Sequence, residues 1–148
     1  MLRPLLPTTV LSFALACTLA LPAMAETFEV KMLTRAADGS PMVFEPAYLR
    51  LEPGDSIKFL ASQKGHNAES MKKMMPKGAK KFRGKINQEI EVSFDVNGWY
   101  GIQCKPHYAM GMVMVVQVGD GELPEKFLAG RIPKRAKQRF NHAIALAE

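Results

Sequence analysis

The chain has 148 residues, 47% of them hydrophobic and 23% charged, which suits one globular domain. That balance excludes a disordered chain and leaves no room for two full domains. Lysine and arginine number 20 against 14 acidic residues, a formal charge of +6. Such an excess favours acidic partners but is too dilute for a nucleic-acid-binding tail, so no nucleic acid is expected.

In chain order, residues 1–25 read as a secretory signal peptide. Arg3 supplies the positive start, Val10 to Leu21 the apolar stretch, and Ala23-Met24-Ala25 the small-x-small cleavage pattern. The apolar run is shorter than the ~18–20 residues that span a bilayer, so stable membrane association is not expected. Residues 26–148 are expected to form a single domain, which retains only Cys104. Two cysteines make no disulfide framework. A lone thiol in an exported protein needs protection, by metal ligation or by burial.

The mature part opens with Phe28, Val30 and Met32 alternating with Glu29 and Lys31, the pattern of a half-buried strand. Met42-Val43-Phe44 is a second short run, stopped by Pro46. Leu49 and Leu51 lead to the turn Glu52-Pro53-Gly54-Asp55, and Ser56 to Leu60 is the next strand. Residues 70–85 are basic and broken by Pro76 and Gly78, a connecting segment with at most one helical turn. Ile90, Val92 and Phe94 alternate again before the turn Asn97-Gly98. Trp99 to Ile102 and Met112 to Val118 complete the strands. Short strands between Pro/Gly turns predict a β-sandwich or barrel.

The tail changes period. Leu123 to Ala129 predicts a short helix with Pro124 in its first turn and Gly130 at its end. Pro133 opens a second, in which Ala136, Phe140, Ala143, Ile144 and Ala147 form one apolar stripe that docks on the sandwich. His142 lies on this helix with no ligand set beside it.

The chemistry is concentrated in Cys104-Lys105-Pro106-His107-Tyr108-Ala109-Met110-Gly111-Met112, with the spacing C-x2-H-x4-M. His66, in the loop after the Ser56–Leu60 strand, is a fourth candidate, because loops at one end of a sandwich converge. Two imidazoles and a thiolate with a weak axial methionine describe a type 1, or blue, copper site. Thiolate donates strongly, imidazole suits both Cu(I) and Cu(II), and the weak thioether leaves little to move when an electron passes. No position stays open for substrate, so the expected role is electron transfer without turnover, not enzymatic. On residue pattern alone, burial of Cys104 without metal, a zinc site and transient copper binding remain alternatives. No C-x-x-C-H haem motif is present.

Three stretches carry a resemblance. They are Met42-Val43-Phe44-Glu45-Pro46-Ala47-Tyr48, Lys64-Gly65-His66-Asn67-Ala68-Glu69-Ser70 and the Cys104–Met112 loop. With them the chain resembles the pseudoazurin family, periplasmic blue-copper proteins of the cupredoxin superfamily. The resemblance implies an all-β, cupredoxin-like Greek-key β-sandwich with two C-terminal α-helices. It implies one copper ion per chain, held by His66, Cys104, His107 and Met112, with Met110 as the competing methionine. It implies that Asn67 ties the two ligand loops together and that the N–H groups of Asn67 and Met112 donate to the Cys104 sulfur. Pro106, Met110, Gly111 and Met42 would form an apolar patch around the His107 edge. Lys64, Lys72, Lys73, Lys77, Lys80, Lys81 and Lys105 would form a basic docking rim, joined by Arg83 and Lys85.

The implied role is a soluble, monomeric, periplasmic one-electron carrier cycling Cu(II)/Cu(I). Its implied partners are copper nitrite reductase, related denitrification reductases and c-type cytochromes. The alternative is a periplasmic copper-binding protein for delivery or storage. The sequence departs from the family pattern at Lys105, where a smaller polar residue is common, and at Trp99, where small residues are usual and packing is the expected role.

Overall fold

Alternating side chains build the first strand. In a computed structural model, which describes residues 24–147, β1 (Thr27–Arg35) turns Val30 and Met32 inward and Glu29 and Lys31 outward. The expected signal peptide lies almost wholly outside the described residues. β1 pairs antiparallel with β2 (Pro41–Glu45) and parallel with β4 (Ser56–Leu60), which pairs antiparallel with β6 (Ile90–Ser93). The second sheet runs β3 (Tyr48–Leu51), β8 (Val113–Val118), β7 (Gly98–Gln103) and β5 (Glu69–Ser70). The chain passes repeatedly between the two sheets, as the sandwich reading expects.

Val30, Met32, Phe44, Ile57 and Phe59 meet Tyr100, Ile102, Met114, Val116 and Val118 between the sheets. β8 is buried at every position because both of its faces are covered. Met114, Val116 and Val118 face the inter-sheet core, while Val113 and Val115 lie under α1 (Lys134–Ala145). This double burial explains why its run is apolar at every position but Gln117. Phe140, Ala136 and Ala143, all fully buried, seat α1 on Val113, Val115, Trp99 and Phe127. Burying the Phe140 ring alone contributes about 2–3 kcal/mol.

One expected element is absent from its place. Leu123–Ala129 is not a helix but two successive turns. Phe127 N–H donates to the Pro124 carbonyl and Ala129 N–H to that of Lys126. The seven residues Leu123–Ala129 give too few helical hydrogen bonds to offset nucleation. Phe127 fixes the segment instead, by packing edge-on against Trp99. The tail therefore carries one α-helix.

The basic connection from Met71 to Lys85 lies against β7. Met71 N–H donates to the Gly101 carbonyl, and Gly101 N–H to the Met74 carbonyl at 2.6 Å. A Cβ at Gly101 would stand 2.9 Å from the Met74 Cβ, so only glycine admits this approach.

The site end follows from topology. Because β1 and β4 run parallel, Thr34 and Arg35 lie past the end of β4, beside the loop that carries His66. β7 ends at Gln103 and β8 begins at Val113, so the Cys104–Met112 loop connects two adjacent strands.

Candidate metal centre

Cys104 lies between β7 and a 3-10 turn spanning Lys105–Met110, and its side chain is fully buried. Pro106 stands in the first positions of that turn, where its missing N–H costs nothing. Gly111 ends it with φ 92°, a left-handed conformation suited to glycine. The backbone then locks the loop. Cys104 N–H donates to the Met112 carbonyl at 3.0 Å, His107 N–H to the Cys104 carbonyl at 3.1 Å, and Met112 N–H to the His107 carbonyl at 3.2 Å.

Three donor atoms converge. His66 Nδ1 lies 3.0 Å from His107 Nδ1 and 3.7 Å from Cys104 Sγ, and His107 Nδ1 lies 3.5 Å from that sulfur. The centre of this triangle is roughly 2 Å from each atom, close to metal–imidazole and metal–thiolate bond lengths. Among the described residues these are the His, Cys, Asp or Glu side chains grouped closely enough to share an ion. Met112 is fully buried beside Cys104 in the inter-sheet core. Met110 is 41% exposed and borders a surface cleft with Pro41, Arg135 and Arg139.

Burial and charge set the protonation of the site. Burial pushes the Cys104 thiol up, the N–H groups of Asn67 and His107 oppose that, and the charge of Glu69 adds to the rise. Burial also lowers the pKa of His66, helped by its neighbour His107, so its imidazole is held neutral and ready to donate a lone pair. Thr34 Oγ1 stands 3.0 Å from His66 Nε2. With Nδ1 turned to the other donors, Nε2 carries the proton and donates to the hydroxyl.

Asn67 is buried and does join the loops. Its Oδ1 accepts from Lys105 N–H at 2.8 Å and its Nδ2 donates to the Gly84 carbonyl at 3.1 Å. The Met112 N–H, expected on the Cys104 sulfur, donates to the His107 carbonyl instead, and the backbone groups that hold the Cys104 thiol pKa down are those of Asn67 and His107.

The expected apolar rim is partly assembled. Pro106 is exposed beside half-buried His107, and Met42 is half-buried. Gly111 is not on this surface. It is buried, and a Cβ there would meet the Arg135 carbonyl oxygen of α1 at 3.2 Å. All seven rim lysines are exposed. Lys64 flanks Gly65, whose Cβ position is 4.0 Å from the His107 ring. Lys72, Lys73 and Lys105 line one cleft with Tyr108, Lys126 and Arg131. Lys80 lines a different cleft, with Asp95 and Val96. Lys77 and Lys81 are exposed along the Met71–Lys85 connection.

The family model of copper binding proteins, plastocyanin/azurin family, matches residues 30–119. Over 130 residues the chain is 44% identical to the pseudoazurin of Paracoccus pantotrophus, covering 86% of this chain and 88% of the relative. The chain belongs to the pseudoazurin family. A pseudoazurin of Methylorubrum extorquens is 51% identical over 118 residues, covering 80% of this chain and 78% of that one. The refined crystal structure of pseudoazurin from Methylobacterium extorquens AM1 matches with a TM-score of 0.76 at 44% identity. That match covers 82% of this chain and 99% of the other. The two-sheet sandwich is thus a cupredoxin fold. As a pseudoazurin, the protein is a copper-binding electron carrier, and the soft thiolate with two imidazoles fits that metal.

Sequence reading missed Thr34, Glu69 and Gln103 around this centre, and it placed Arg83 on the docking rim without its partner Glu69. Thr34 sits at the end of an ordinary strand, and its role depends on the parallel register of β1 and β4. Glu69 and Arg83 meet across the bridge between β5 and the end of the basic segment. No local motif marks either arrangement.

Proposed function

We propose that this protein is a periplasmic one-electron carrier whose copper is held by His66, Cys104, His107 and Met112. It passes electrons to a copper nitrite reductase or a related denitrification reductase, and c-type cytochromes are the further redox partners of the same kind. The observation that carries this reading is the triangle of two imidazole nitrogens and one thiolate sulfur, with a methionine buried beside it. Bound there, copper supplies a Cu(II)/Cu(I) couple.

The chain's own residues hold that site in one geometry. His66 is fixed through Thr34, Cys104 through the Met112 carbonyl, and His107 through the Cys104 carbonyl. Asn67 binds the Lys105 N–H, so the two ligand loops move together. Little rearrangement accompanies a change of charge, which keeps transfer fast. His107 is the half-buried donor and lies nearest the surface, with Pro106 and Met110 exposed on its loop. An apolar contact there lets a partner approach closely. Lys64, Lys72, Lys73 and Lys105 steer an acidic partner to it.

Export rests on residues 1–25, with the mature domain beginning at Glu26. Loading the mature protein with Cu(II) and recording its visible spectrum tests the site. One intense thiolate-to-copper band near ~600 nm, bleached by ascorbate and restored by oxidation, is the expected result. Stoichiometric copper without that band overturns the Cys104 assignment and favours copper delivery or storage.

A further inference from the structure

Among the described residues two carboxylates are buried, Asp55 and Glu69. Asp55 lies at the far end of the sandwich. Glu69 lies beside the copper-site residues. It pairs with Gln103 across β5 and β7, and Gln103 directly precedes Cys104. Its Oε1 accepts from Gln103 Nε2 at 2.7 Å. Its Oε2 accepts from Asn67 Nδ2 at 3.5 Å and from Arg83 Nε at 3.1 Å. The carboxylate is therefore bonded to the residue after His66, to the residue before Cys104, and to one guanidinium. The Glu69 side chain is 10% exposed, while that of Arg83 is 74% exposed.

We infer that the Glu69–Arg83 pair sets the reduction potential of the copper centre. The inference rests on the electron-carrier reading, with His66 and Cys104 as ligands. A fixed negative charge beside the metal favours the more positive Cu(II) state and lowers the potential. Arg83 offsets that charge, but only partly, because water screens an exposed guanidinium more than a buried carboxylate. The hydrogen bonds to Asn67 and Gln103 hold the carboxylate at a fixed distance from the site, so its effect is constant through the redox cycle.

Two substitutions of opposite sign test this. Glu69→Gln keeps the side-chain shape and an acceptor for Gln103 while removing the charge. It is expected to shift the Cu(I)/Cu(II) ratio at fixed applied potential about tenfold toward Cu(I), a rise of ~59 mV. Arg83→Gln leaves the carboxylate uncompensated and is expected to lower the potential, by a smaller factor of about threefold. Both variants keep the intense visible band. A structural role alone would move both potentials in the same direction or weaken the band. Shifts of the same sign, or Cu(I)/Cu(II) ratios within twofold of the parent at the same applied potential, overturn the inference. If Glu69→Gln does not fold, Arg83→Gln decides the matter, because its side chain is exposed. A lowered potential supports the inference and an unchanged or raised one ends it. Absence of the band from the parent protein itself overturns the ligand reading, and this inference with it.

Discussion

Thr34 holds His66 from outside the ligand loops. His66 is 1% exposed, and its ring has two nitrogens to satisfy. Nδ1 faces Cys104 and His107, so Nε2 depends on the Thr34 hydroxyl at 3.0 Å. That bond selects the tautomer and fixes the ring plane. The strand end is itself clamped, because Gln63 Oε1 accepts from the N–H groups of Thr34 at 2.6 Å and Arg35 at 3.1 Å. Thr34→Val preserves volume and β-branching but replaces the hydroxyl with a methyl group. Copper affinity, measured by competition titration, is expected to fall at least ~10-fold, the usual cost of losing the partner of a ligating histidine. Thr34→Ser is expected to restore most of it. Equal affinity in the valine variant would show that Nε2 needs no partner from β1.

Elements were legible where a local pattern has a local cause. Val30 and Met32 alternate because β1 buries one face, and the Ala136–Phe140–Ala143 stripe repeats because α1 lies on β8. Cys104, His107 and Met112 show as one cluster because a single loop carries them. Leu123–Ala129 misled because its apolar residues serve packing, with Phe127 against Trp99, and not helical periodicity. Glu69 and Thr34 were silent because the partners that give them a role, Arg83, Gln103 and His66, are distant in sequence. The start of β1 is another such case. Glu26 N donates to Asp55 Oδ1 at 2.8 Å, and Asp55 Oδ2 accepts from Glu52 N–H. Cleavage after Ala25 would turn that amide into an ammonium facing a buried carboxylate. A chain starting at Glu26 is expected to be about 1 kcal/mol more stable than one extended by Met24-Ala25, or roughly 4 °C in Tm. Asp55→Asn should remove the difference. An equal Tm for the two chains with Asp55 intact would remove the ion pair.

At the scale of the whole molecule, the position of each charge matters more than the total of +6. Lys105 sits on the turn that carries His107, in the cleft with Lys72 and Lys73. Lys80 shares a cleft with Ser93, Asp95 and Val96. Ser93 pairs with Ser56 at the start of β4, and β4 runs from there toward His66, so Lys80 lies toward the opposite end of the sandwich. Lys105→Glu and Lys80→Glu change net charge equally and therefore separate local steering from overall attraction. Charges beyond a Debye length of ~10 Å at 0.1 M salt are largely screened, and only those near the contact still guide the encounter. Stopped-flow electron transfer to a copper nitrite reductase is expected to slow several-fold more in Lys105→Glu than in Lys80→Glu at ~0.1 M salt. At ~1 M salt, where the Debye length is ~3 Å, the rates of both variants should approach that of the parent. Equal slowing at ~0.1 M would mean that the partner responds to net charge alone and would remove the docking face from around His107. A lasting deficit of Lys105→Glu at ~1 M would instead place its side chain in the contact itself, since screening removes steering but leaves close packing intact.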